Sequence, residues 1–130
     1  MRYTSPRHER LFCNLAHGKD HSSHTLAAIY LLTARRKLWK KWQHAVTNRG
    51  IDWHFGHNID TGDDGYHLEC VARSLASSSA MQVSLRDLAD SINYPDSMLR
   101  LVITALWIAR CDPVAIKEIS QEKRGKHHEP

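Results

Sequence analysis

Residues 84–106 read SLRDLADSINYPDSMLRLVITAL. Their reading decides whether the C-terminal half is a DNA-reading helix-turn-helix or two helices packed into a core. Ser84 with Asp87 three residues later has the layout of a capping box, and Leu85, Leu88, Ala89 and Ile92 then share one side of a short helix. Asn93-Tyr94-Pro95 supplies a turn, because Asn tolerates the left-handed conformation and Pro95 cannot extend the first helix. Asp96 or Ser97 caps the second helix, and Leu99, Val102 and Leu106 continue the apolar contacts.

The spacing resembles the helix-turn-helix family, with the small Ala89 at the crossing and Asn93 at the turn. A recognition helix, however, turns polar side chains toward base edges and phosphates. In MLRLVITALWIAR the apolar residues cover nearly the whole circumference, with Arg100 and Thr104 as the polar interruptions before Arg110. Exposing Leu101, Ile103 and Ile108 would forfeit about 1.5–3 kcal/mol for each side chain. The sequence therefore predicts that this helix is buried in the core or in an oligomer interface. Ser97, Arg100 and Thr104 are the base- and phosphate-contacting residues of the alternative, a nucleic-acid-binding regulator.

Outward from this stretch, the chain predicts an all-α fold, a compact single-domain bundle of about five to six helices over residues 1–120 with a helix-turn-helix-like C-terminal pair. Ser5-Pro6 is a capped helix start, and Leu11, Phe12 and Leu15 mark the stripe of a helix ended by Gly18. His21 to Ala34 is rich in Ala and Leu and predicts a central core helix. Leu38, Trp39, Trp42, Ala45 and Val46 recur at helical spacing in a third helix, leaving Lys37, Lys40 and Lys41 on the opposite face. IDWHFGHNIDTGDDG, residues 51–65, predicts a long loop anchored by Trp53, Phe55 and Ile59. Tyr66, Leu68, Val71, Ala72 and Leu75 begin a fourth helix, which ends near SSSAM. Val114, Ile116 and Ile119 predict a last turn of helix, and residues 121–130, QEKRGKHHEP, a flexible polar tail. No stretch has the alternating pattern of several strands.

No apolar run approaches the roughly 20 residues that cross a bilayer, and MRYTSPRHER lacks the features of a secretory signal, so the expectation is a soluble cytoplasmic protein without a membrane partner. Three widely spaced cysteines suit reduced thiols. The net charge of +4 is mild, but its distribution is not: between Asp20 and Asp52 there is no acidic residue, while Arg35, Arg36, Lys37, Lys40, Lys41 and Arg49 all fall there. Such a patch is a solvated helix face or a surface for an anionic partner.

His54 with His57 and His67 with Cys70 have the spacing of two ligand pairs for tetrahedral zinc, the one cofactor the sequence raises. Asp60, Asp63 and Asp64 resemble a calcium loop in composition without its register. Asp60, Asp63 and Glu69 with neighbouring histidines are the carboxylates a nuclease or hydrolase would draw on. No phosphate loop, nucleophile elbow, metalloprotease helix or dinucleotide fingerprint occurs.

Taken in order, SPRHERLF, YLLT, the basic Trp-containing helix, IDTG, YHLECVARSL, VSLRDLADS and LRLVITALWIAR resemble an uncharacterised family of small all-helical proteins of bacterial prophages and mobile elements, over roughly Thr4 to Arg110. The resemblance implies an all-helical cytoplasmic protein and transfers no functional residue. The resulting expectation is a non-enzymatic, phage-associated interaction protein. It would bind a protein partner through Arg35, Arg36, Lys37, Lys40, Lys41, Trp53 and Phe55; in the nucleic-acid alternative, Arg35, Arg36, Lys40 and Lys41 would instead meet phosphates beside the helix-turn-helix. A homo-oligomer is compatible with the apolar C-terminal helix.

Overall fold

Local signals set the helix starts. In the computed structural model, which describes residues 2–17, 20–77, 83–111 and 116, Ser5 accepts a hydrogen bond from the His8 N–H at 3.1 Å, and Pro6 opens α1 (Pro6–Ala16). Ser22 likewise receives the Thr25 N–H at the start of α2 (Ser23–Thr33). There follow α3 (Arg36–Trp42), the short strands β1 (Val46–Thr47) and β2 (Gly50–Ile51), α4 (Gly62–Ala76), α5 (Leu85–Leu88) and α6 (Asp96–Arg110). The fold is all-α, as the sequence predicts, with one two-stranded ribbon.

Every residue of α2 from Leu26 to Thr33 is buried. A helix apolar on all sides must be surrounded, and α2 lies against α1, α3, α4 and α6, while α4 also packs on α6 and α3. The residues before α1 fold back over this core. The Tyr3 ring meets His8 edge-on at 5.3 Å, the Tyr30 hydroxyl donates to the Arg2 carbonyl, and Thr4 Oγ1 donates to the Ala34 carbonyl at 3.1 Å. His8 is fully buried between them. Its Nδ1 accepts from the Thr4 N–H at 3.1 Å, which leaves Nε2 to donate to the Tyr30 carbonyl at 2.8 Å.

Three expectations are corrected. The third helix, read as running through Ala45 and Val46, ends at Trp42, and Val46 instead enters an antiparallel ribbon, Val46 opposite Ile51 and Thr47 opposite Gly50. Its turn runs through Asn48 and Arg49, and Gly50 adopts φ +118°, a conformation that Gly tolerates and other residues rarely do. α4 begins at Gly62 rather than Tyr66, because Asp63 and Asp64 sit in its first turn, where carboxylates oppose the positive end of the helix dipole.

The third correction concerns the opening stretch. Helix, turn and helix follow one another, and the capping box is present: Ser84 Oγ accepts from the Asp87 N–H at 3.0 Å, and Asp87 Oδ2 accepts from the Ser84 N–H at 2.9 Å. Yet α5 is a single turn of four residues that buries none of them, with Leu85 and Ile92 more than four-fifths exposed. α6 is not buried all round either. Met98, Leu101, Val102, Ala105 and Ile108 face α2 and α4, while Ile103, Leu106 and Trp107 remain 56%, 44% and 48% exposed. The apolar count was right, but α6 has substantial described neighbours on one side alone. Ile116 is buried, whereas Val114, Ile119 and the tail at 121–130 lie outside the described residues.

Candidate partner-binding surface

Buried Leu38 and Trp42 lie four residues apart, which fixes the orientation of α3 and places Arg36, Lys37 and Lys40 in solvent. Arg35 is half-buried at the helix start. Lys41 faces sideways, and its Nζ lies 3.0 Å from Glu69 Oε1 on α4. The same oxygen accepts the Trp42 Nε1–H at 2.8 Å. Arg73, one helical turn beyond Glu69, holds its Nε 3.5 Å from Oε2, near enough for Coulombic attraction but not aligned for a hydrogen bond. Glu69 itself is 4% exposed, so a buried carboxylate ties two cations and an indole together.

Above this knot sits the loop after β2. The Trp53 ring meets Trp42 edge-on at 5.0 Å, and the Arg73 guanidinium lies over both indoles, 5.1 Å from Trp42 and 5.2 Å from Trp53. The His57 N–H donates to the Lys41 carbonyl at 2.9 Å, fastening the loop to α3. Gly56 makes the approach feasible: a Cβ there would stand 2.8 Å from Cη2 of the buried Trp42 ring. Gly56→Ala is therefore expected to cost about 1–3 kcal/mol through overpacking, read as a lower thermal midpoint. An unchanged midpoint would mean that the loop does not press on Trp42.

The ribbon, the loop and Arg73 enclose an open cleft of about 830 Å³ lined by His44, Thr47, Arg49, Ile51, Asp52, Trp53, His54 and Phe55. Phe55 is 67% exposed, and the Arg49 side chain is exposed as well. The cleft thus sets the aromatic surface of Trp53 and Phe55 beside the cations Arg49 and Arg73. Of the residues the sequence nominates, Trp53 and Phe55 line it, Arg36, Lys37 and Lys40 stand free on α3, and Lys41 is engaged inward by Glu69. Arg73, Glu69 and His44 were missed as parts of this surface. The one available sequence signal was the helical i,i+4 spacing of Glu69 and Arg73.

The other nominated groups do not assemble. His54 and His57 are exposed on the loop, while on α4 the His67 ring stacks on Tyr94 at 5.2 Å and Cys70 is buried. Burial pushes the Cys70 thiol up from its ordinary pKa, away from the thiolate zinc requires. Among the described residues no group of three or more His, Cys, Asp or Glu is placed to hold a metal ion, so the zinc reading of His54, His57, His67 and Cys70 is corrected. Asp60 Oδ1 accepts the Gly62 N–H at 2.9 Å and Glu69 is the buried anchor, so the carboxylates proposed for hydrolysis serve separate structural ends. On α6, Ser97 and Arg100 are exposed, and Thr104 is half-buried with its hydroxyl donating to the Arg100 carbonyl at 3.0 Å. They flank the apolar Ile103 and Trp107 rather than forming a continuous polar reading face.

A scan against protein-family models, a search of curated proteins and a search of solved structures find no match. Among the described residues no helix is long and apolar enough to cross a membrane.

Proposed function

We propose that this protein is a non-enzymatic binding module whose partner is a single-stranded nucleic acid, held along the outer face of α3 with bases stacked in the adjoining cleft. The carrying observation is Phe55, two-thirds exposed in a cleft it shares with Trp53, Arg49 and Arg73, on a loop that His57 fastens to α3, where Arg36, Lys37 and Lys40 are exposed. An exposed aromatic ring costs solvation unless something covers it, and each nucleobase offers a π face. Phosphates between successive bases would meet the cations. An acidic protein segment would use the same charges but gives the cleft less to do.

Fluorescence anisotropy with a labelled single-stranded oligonucleotide tests this. With about four phosphate contacts, affinity should fall roughly 50-fold between about 50 and 200 mM salt. Phe55→Ala should weaken binding about tenfold, by loss of one stacked base. Reversing the charges in R36E/K37E/K40E should weaken it about 100-fold, and as all three side chains are exposed, the fold should persist. Absence of binding at about 50 μM strand in low salt would overturn the proposal. Preference for a poly-glutamate peptide over the oligonucleotide would replace the partner with an acidic protein.

A further inference from the structure

Among the described residues, α6 carries a second unpartnered surface, separate from the cleft. Its outward residues include Asp96, Leu99, Arg100, Ile103, Leu106, Trp107 and Arg110. Ile103, Leu106 and Trp107 are each at least 44% exposed, and Leu99 is half-buried. Asp96, Ile103 and Arg110 are spaced by seven, so they lie close to one line along the helix, with Leu99, Leu106 and Trp107 beside it. Among the described residues, nothing within the bundle covers this side of α6.

The arrangement of charge along this line selects the occupant. Asp96 lies in the first turn and Arg110 in the last, and both are exposed without an ion-pair partner among the described residues. They are equally distant in sequence from Ile103. If a second copy of α6 lies antiparallel across the first, with the two-fold axis at Ile103, Asp96 of each copy faces Arg110 of the other. In the same register Leu99 faces Trp107, Leu106 lies against the aliphatic stem of Arg100, and Ile103 meets its own equivalent. A self-complementary patch is what a two-fold dimer requires, because one surface must serve both sides.

We infer that the exposed face of α6 is a homodimer interface in which two copies pack antiparallel about Ile103, with Asp96 and Arg110 forming reciprocal ion pairs. The inference stands independently of the nucleic-acid reading.

Charge reversal with mixing tests it by light scattering after size exclusion. The wild type should be dimeric at about 100 μM. Asp96→Arg alone places Arg opposite Arg110, and Arg110→Asp alone places Asp opposite Asp96, so each variant should dissociate about tenfold more readily. Mixed in equal amounts, they form a heterodimer in which both contacts are again opposite in sign, and dimer should reappear. Ile103→Asp should be monomeric with an unchanged helical signal, its side chain being already half exposed. A wild type that stays monomeric at about 200 μM would overturn the interface, as would an Ile103→Asp variant that stays dimeric. Failure of the mixture to regain dimer while the wild type dimerises would overturn the antiparallel register.

Discussion

Glu69→Ala is expected to lower the thermal midpoint by about 10 °C. The alanine leaves the Trp42 Nε1–H without its acceptor and leaves Lys41 and Arg73 facing one another with no anion between them. Removing one member of a buried ion pair costs about 3–5 kcal/mol. Here the two cations keep 24% and 28% of their side-chain surface in water, which screens part of that loss, so about 2–3 kcal/mol is the appropriate size. At about 4 °C per kcal/mol for a chain of this length, the midpoint falls by the stated amount.

Glu69→Gln keeps an oxygen for Trp42 but loses the charge, and should cost less than Glu69→Ala by about 1 kcal/mol, the worth of the kept hydrogen bond. Circular dichroism melts of the two variants make the comparison. Equal losses would assign the anchor to the charge alone, and a drop below about 2 °C for Glu69→Ala would show that the knot does not hold α3 to α4.

The second large effect is a pH dependence carried by His8. Burial, the largest cause, pushes its pKa down to about 4 from 6.5, with the nearby charges of Arg7 and Arg35 acting in the same direction and the Tyr30 carbonyl opposing them. Both ring nitrogens are committed in the neutral form, since Nδ1 accepts from Thr4 and protonation there would destroy that bond. Between pH 6.5 and 4 the unfolded chain takes up a proton at this site that the folded chain refuses. Stability from His8 is thus complete above about pH 6.5 and is lost progressively as pH falls to about 4, amounting to about 3 kcal/mol.

Urea unfolding across this range, wild type against His8→Gln, isolates the contribution from the other histidines. The variant should be the weaker protein at pH 7, and the difference should narrow toward pH 4. A constant difference would show that His8 titrates alike in both states.

How far the sequence disclosed the fold follows from how local each cause is. The Ser5-Pro6 start and the Ser84–Asp87 capping box depend on atoms three residues apart, and both were readable. α2 was readable because a helix apolar on every side has one placement, the centre. α6 was not, although its composition is nearly as apolar. Counting apolar residues does not count neighbours, and among the described residues the main neighbours of α6, α2 and α4, cover one side.

The surface was legible in halves. The acid-free run from Arg35 to Arg49 exposed the cations, and Trp53 and Phe55 stood out as loop aromatics. What joins the halves was hidden, because Trp42 and Glu69 are 27 residues apart and their contact is made by the fold. The zinc reading failed for the matching reason: two correct pair spacings say nothing about whether the pairs converge.

The placement of α2 has a bearing on synthesis. Two of the helices that shelter it, α4 and α6, are made after it, at residues 62–76 and 96–110. While those segments are still inside the ribosome, the run from Leu26 to Leu32 stands uncovered, an adhesive strip that invites a chaperone or a neighbouring nascent chain. The cationic face of α3 consequently cannot be excised as a minimal fragment, since shortening the chain before α6 strips α2 of its roof.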